Sequence, residues 1–251
     1  MEELKLMFDL IAILISVTIV SLMSFIGVLF VGFKEASVER VLMALVGFAS
    51  GSLIGGAFFH LLPEASAEIG ENIWQLTVIG IVFFFVMEKF LYWRHCHDGK
   101  CPTHMYVYLN LIGDGIHNFV DGTVIAASFL ISHPLGFATT LAVIFHEIPQ
   151  ELGDFGVLVY GGLAKTKALA YNFVSAITAV AGALITYFLA SYVESVTPLL
   201  VPFAAGGFIY IAATDLMPEL HKRTQTKESL AQLLFILTGM GLMLALKFLS
   251  P

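Results

Sequence analysis

Charge is what this chain has least of. Asp, Glu, Lys and Arg together make up 12% of its 251 residues, while 58% are hydrophobic. An ordinary soluble domain is about 25% charged and about 45–50% apolar. The excess of apolar surface is more than one core could absorb, so water is excluded as the main solvent and a lipid bilayer takes its place. Cysteine is nearly missing too. The two present, Cys96 and Cys101, sit in one short polar loop, so no intramembrane site has a thiolate, and such a site has little reason to favour copper(I). Basic residues are outnumbered, with a formal charge of −7, which argues against a nucleic-acid partner. The roughly ten-residue alternating segments of a membrane β-barrel are absent. No soluble domain is appended and no repeat is expected.

What is there in quantity is long apolar runs. A membrane helix needs about 20 mostly apolar residues, and eight stretches qualify, near 6–33, 41–62, 73–93, 105–131, 134–160, 168–193, 198–217 and 230–249. They are separated by polar clusters such as KEASVER, RHCHDGKCPTH and HKRTQTKES and by the tighter turns ISHP and VESVTP. The expected fold is therefore an all-α integral membrane protein of eight transmembrane helices, one polytopic domain over residues 1–251. The first stretch is too long for a signal-peptide core and lacks a basic start, so it reads as span 1. Lys and Arg sort by loop: Lys34, Arg40, Lys89, Arg94, Lys100, Lys165, Lys167, Lys222, Arg223 and Lys227 fall on one side, and only Lys5 and Lys247 on the other. Basic loops stay cytoplasmic, so both termini are expected outside the cytoplasm. The loop after span 2 is acidic (Glu64, Glu68, Glu71) and would gather cations at the outer mouth.

Two spans carry residues that lipid does not tolerate. Span 4 holds Asp114, His117, Asn118 and Asp121; span 5 holds His146, Glu147, Gln150, Glu151 and Asp154. A carboxylate at mid-membrane costs on the order of 2.5–3.5 kcal/mol, so five facing lipid would cost more than roughly 10 kcal/mol. They must face protein, water or an ion. His117 and Asp121 are four apart and stack on one helix face, with Asp114 one turn earlier and Asn118 beside them. His146 and Gln150 form a second such pair, and Glu147 and Glu151 a third. Two helices with inward His and carboxylate groups can close a coordination shell between them. Imidazole with carboxylate and amide oxygens suits Zn²⁺, and also Fe²⁺, Mn²⁺ or Cd²⁺. Pro149 frees the carbonyl of Phe145, and Gly113, Gly115, Gly122 and Gly153 permit close helix approach.

The loop RHCHDGKCPTH offers a separate donor set, His95, Cys96, His97, Cys101 and His104. The spacing is not that of a zinc finger, but five N/S donors within ten residues could hold zinc. On the cytoplasmic side a Cys96–Cys101 disulfide is disfavoured.

HNFVDG at 117–122 and HEIPQELGD at 146–154 resemble the paired fourth- and fifth-helix motifs of the Zrt/Irt-like (ZIP) divalent-metal transporters, in the subgroup with HNxxDG followed by HExPHExGD. Eight spans, external termini and a histidine-containing loop after span 3 extend the resemblance over essentially the whole chain. It implies zinc or a related divalent ion, carried as cargo with no cofactor, moving toward the cytoplasm between spans 4 and 5. It also implies a homodimer, an elevator-like shift of a bundle holding spans 4 and 5, and residence in the plasma membrane. By the same resemblance His117, Asn118 and Asp121 would serve from span 4, and His146, Glu147, Gln150 and Glu151 from span 5. Two-site members of the family use a bridging carboxylate at the position of Gln150, and this subgroup usually a histidine, so the glutamine is a departure. His60 and Glu64 would belong to the outer approach, Asp215 and Glu219 to the inner end, and Asp154 to the pathway or the surroundings of the site.

HEIPQ also echoes the HExxH of an intramembrane zinc metalloprotease. That mechanism needs a second histidine at i+4, where this chain has Gln150. An ion channel or proton-coupled carrier using the same carboxylates, or a metal-sensing receptor, is the remaining alternative.

Overall fold

The computed structural model describes residues 2–30, 35–93, 103–160, 162–190, 197–222 and 225–249. Among the described residues every regular element is helical. In chain order the α-helices are α1 (Glu2–Leu22), α2 (Gly27–Phe30), α3 (Glu35–Gly56), α4 (Leu62–Ile69), α5 (Ile73–Trp93), α6 (Thr103–Ile131), α7 (His133–Tyr160), α8 (Lys165–Ala176), α9 (Thr178–Ala190), α10 (Thr197–Ile211), α11 (Met217–His221) and α12 (Thr226–Leu249). Five stretches are long and apolar enough to cross a membrane: Leu6–Phe25, Val41–Lys89, Lys165–Leu189, Pro198–His221 and Thr226–Phe248. The second has 49 residues. As one straight helix it would run about 73 Å, more than twice a hydrocarbon core of about 30 Å. It breaks instead at Gly70, whose φ of 63° few other residues adopt. α6 and α7, at 29 and 28 residues, are also long enough to cross, but their polar residues interrupt the apolar run. The turn ISHP between them shrinks to a single residue, Ser132, and the expected span 168–193 is two helices interrupted at Ile177.

Apolar side chains cover the outside. Val78, Ile79, Val82 and Phe85 on α5 and Leu230, Leu233, Leu234 and Leu237 on α12 are all more than half exposed, a surface that only lipid makes stable. Lipid also removes the hydrophobic drive that packs helices in water, leaving close van der Waals contact to do it. Three helix pairs achieve this through reciprocal glycines. Gly122 on α6 lies against the carbonyl of Ala179 on α9, and Gly182 on α9 against that of Phe119. Gly51 and Gly239 do the same for α3 and α12, and Gly80 and Gly206 for α5 and α10. A Cβ at any of the six would stand 1.8–2.2 Å from a carbonyl oxygen, so the backbones touch. Gly122 thus fulfils the close approach read from the sequence; Gly153, with nothing within 4 Å of a built Cβ, does not.

One local shape occurs twice along the chain. A π-helical turn, Ala57–Leu61, precedes α4, and a second, Ala212–Leu216, precedes α11. In each, the N–H after the turn reaches back five residues, Leu62 to Ala57 and Met217 to Ala212, and a proline that cannot donate follows. The sequences match as well: HLLPE at 60–64 and DLMPE at 215–219. His60 and Asp215 are equivalent positions in two copies of one local shape, of a kind frequent at functional sites.

Candidate metal centre

α6 and α7 run antiparallel, joined at Ser132, so their polar faces meet at one level. His117 and Asp121 from α6 and His146 and Glu147 from α7 are all buried, and one ligand atom from each lies within 4.8 Å of the other three. His117 Nε2 stands 3.2 Å from His146 Nε2 and 3.5 Å from both Asp121 Oδ2 and Glu147 Oε1. His146 Nε2 is 3.1 Å from Asp121 Oδ2 and 3.7 Å from Glu147 Oε1. Donors bound tetrahedrally to zinc at about 2.0–2.1 Å stand about 3.3 Å from one another. The observed spacings bracket that edge.

The electrostatics point the same way. His146 Nδ1 is 3.0 Å from the carbonyl of Ala142, and a carbonyl only accepts, so Nδ1 carries the proton and Nε2 presents its lone pair inward. Asp121 Oδ2 and both carboxylate oxygens of Glu147 are buried without a hydrogen-bond partner. No lysine or arginine occurs in α6 or α7. Lone pairs and anionic oxygens converging without a cation would be prohibitive in a buried site; a divalent ion compensates them at once. The ring of Phe208 from α10 closes the apolar side, 5.9 Å from the His146 ring.

The remaining residues of the two motifs lie a turn away. Asn118 donates from Nδ2 to Asp114 Oδ1 at 2.8 Å, and Gln150 reaches toward the same carboxylate. Glu151 accepts from Asn172 Nδ2 on α8. Ser175 Oγ donates to Asp114 Oδ2 at 2.5 Å, and Asn110 Nδ2 to Asp154 Oδ1 at 2.9 Å. Asn110, Asn172 and Ser175 were not among the expected site residues. Asn172 and Ser175 stood visible as polar residues inside an apolar span, but singly they signal little. The same holds for Asp9 on α1, buried and 2.7 Å from His133 Nε2.

The outlying residues separate. His60 donates from Nε2 to the Met243 carbonyl at 2.7 Å, which ties it to α12. Asp215 is exposed and accepts from Thr214 Oγ1 at 2.9 Å. Glu219 pairs with the exposed Lys222 at 2.5 Å, and Glu64 is half-buried. His95, Cys96, His97 and Cys101 lie outside the described residues, as does the side chain of His104. The arrangement also disposes of the protease echo: the second imidazole comes from His117 on another helix, and not from the i+4 position of α7.

Known proteins resemble this chain over most of its length. The family model described as ZIP zinc transporter matches residues 95–247. The zinc transporter ZIP13 of Pongo abelii is 34% identical over 218 residues, 80% of this chain and 66% of that protein. ZIP13 of Danio rerio is 30% identical over 269 residues, covering 83% and 76%. The zinc transporter YKE4 of Saccharomyces cerevisiae is 31% identical over 271 residues, covering 92% of this chain and 78% of its own. The chain belongs to the ZIP zinc transporter family, whose members are transporters and not enzymes.

Proposed function

We propose that this protein carries zinc across a membrane toward the cytoplasm, binding it on the way with His117, Asp121, His146 and Glu147. The single observation that carries the reading is the convergence of two imidazole nitrogens and two carboxylates at 3.1–3.7 Å, with three of the carboxylate oxygens left without donors. The ion sheds its water as these four groups replace its shell. Fe²⁺, Mn²⁺ and Cd²⁺ fit the same donor chemistry and are candidate competitors. Asn118, Gln150 and Glu151 belong to the layer next to this quartet, with Asp114 and Asp154. His60 and Glu64 serve the outer approach, and Asp215 and Glu219 the inner end. The cytoplasmic His95–His104 loop takes up the ion afterwards.

The topology proposed with it has eight crossings, both termini outside the cytoplasm and a homodimer in the plasma membrane. The crossings and the external termini are supported by the basic bias of alternate loops and by the break at Gly70, which lets Val41–Lys89 supply two crossings. The test is radiolabelled zinc uptake into proteoliposomes with iron, manganese and cadmium as competitors. Saturable uptake, lost in His117→Ala and His146→Ala, is expected. Uptake that does not saturate, or that survives both substitutions, overturns the assignment.

A further inference from the structure

The lipid-facing surface is not uniform. Between α6 and the α8–α9 pair lies a groove of about 650 Å³, walled by Ile112, Ile116 and Phe119 on one side and by Tyr171, Val174 and Ala181 on the other. The glycine contacts explain its shape. α6 and α9 touch at Gly122 and Gly182, where a Cβ would stand 1.8 and 2.0 Å from a carbonyl oxygen. About two turns nearer the Thr103 end, a Cβ on Gly115 would meet nothing closer than the side chains of Ser175 and Thr178 at 3.8 Å. The backbones have parted there, and only small groups form the floor. Their hydroxyls are already committed: Ser175 Oγ donates to Asp114 Oδ2 at 2.5 Å, and Thr178 Oγ1 to the Gly115 carbonyl at 2.6 Å. What the groove presents is almost wholly apolar.

The lining from Tyr171 to Ala181 runs about 15 Å along the helix, the depth of one leaflet of a hydrocarbon core about 30 Å thick. One end of it is charged. Lys167 lies four residues before Tyr171 and so shares a helix face with Tyr171, Val174 and Thr178, and Lys165 stands in the same first turn of α8. Both lysines are exposed, and neither is paired with a carboxylate among the described residues. α8 and α9 contain no acidic residue. Tyr171 stands between the lysine and the apolar walls, as aromatic residues do at the headgroup boundary. We infer that this groove binds one anionic phospholipid, its acyl chain lying between α6 and α8–α9 and its headgroup phosphate held by Lys165 and Lys167. The chain supplies apolar contact, and the lysines select the headgroup, because basic residues at the membrane surface are attracted to anionic lipid. A zwitterionic lipid would fill the groove without offering the lysines a net negative partner. In the proposed topology this end of α8 faces the cytoplasmic leaflet, where anionic lipids are found; the site itself depends neither on that orientation nor on the metal quartet. A chain seated there also covers the hydrogen bonds from Ser175 and Thr178 to α6 and keeps water off them.

The test is native mass spectrometry of the full chain released from detergent micelles, with phosphatidylglycerol as the probe and phosphatidylcholine of the same acyl chains in parallel. One phosphatidylglycerol per chain is expected to stay bound, with an apparent affinity about tenfold or more above that of phosphatidylcholine. Lys165→Gln combined with Lys167→Gln should erase that preference. Lys222→Gln combined with Lys227→Gln removes the same charge near the start of α12 and should leave it intact. Ala181→Phe projects a ring into the groove and should reduce retention of both lipids, with circular dichroism reporting whether the variant is folded. If it is not, the two lysine pairs decide alone. Equal retention of the two lipids by the unaltered protein overturns the site. So does a preference that survives loss of Lys165 and Lys167, or one that falls as far when Lys222 and Lys227 are replaced. Full retention in folded Ala181→Phe, or lipid missing from every chain that runs as a dimer because a second copy covers the groove, overturns it too.

Discussion

The two polar layers between α6 and α7 sit a helical turn apart and are built on opposite plans. In the quartet, Asp121 Oδ2 and both oxygens of Glu147 have no donor at all. In the adjoining layer Asp114 has Asn118 and Ser175, Glu151 has Asn172, and Asp154 has Asn110. The first layer keeps its oxygens unpaired; the second is half-satisfied by the protein's own amides and hydroxyls. A site that must bind and then let go gains from such a gradient, since the layer with internal partners has less to gain from the ion.

The largest expected effect is at the quartet itself. Glu147→Gln keeps the size and removes one anionic ligand, so zinc uptake should fall by about a hundredfold or more, as losing a ligand costs several kcal/mol in a buried site. The same substitution removes an uncompensated buried charge, so the metal-free protein should melt higher than the unaltered one. Uptake and thermal denaturation measured on the same preparations check both directions. A variant that transports normally, or one that is less stable without zinc, would erase the contrast between the layers.

Next comes the response to the metal. An ion that binds only the folded state, present at 100 times its dissociation constant, stabilises by about 2.7 kcal/mol. Zinc should raise the melting temperature of the unaltered protein, a chelator should return it, and Glu147→Gln should show little of either. Acidification follows in size. A protonated imidazole has no lone pair for a metal, so uptake should decline as pH falls from 7.5 to 5.5. Zinc uptake into proteoliposomes across that range reads the effect. Uptake that stays level from pH 7.5 to 5.5 would count against histidine ligation.

How much of this was legible in the sequence follows from how local each signal is. The quartet announced itself because His117 and Asp121 are four apart, His146 and Glu147 adjoin, and both sets interrupt consecutive apolar runs. Asn172 and Ser175 did not, because lone uncharged polar residues occur in many membrane helices and their partners lie 21 and 61 residues away. The glycine contacts were half-legible. Gly122 lay beside the motif, whereas Gly51 and Gly239 are paired only by tertiary packing, which no short-range pattern encodes. HLLPE and DLMPE were in plain view. Their likeness acquires meaning only when both prove to follow a π turn, a shape set by a hydrogen-bond shift and not by composition. The split of the long Val41–Lys89 stretch at Gly70 was readable, since PEASAEIGEN is polar and Gly70 can adopt positive φ.

The smallest effect should come from the residue that looked most anomalous in the sequence. Gln150 departs from the histidine that the resemblance to the HExPHExGD motif implies, which would make Gln150→His a change that transforms zinc binding. Its side chain, however, is only half-buried and reaches toward Asp114, in the layer already furnished with donors, and it is outside the group whose ligand atoms converge. The quartet brings four candidate ligand atoms together without it. Zinc affinity should therefore shift by about threefold or less, under 1 kcal/mol. Equilibrium dialysis of zinc against Gln150→His and the unaltered protein reads the difference directly. A large gain in overall zinc affinity would show that position 150 completes the quartet, and that the boundary between the two layers lies on the far side of Gln150.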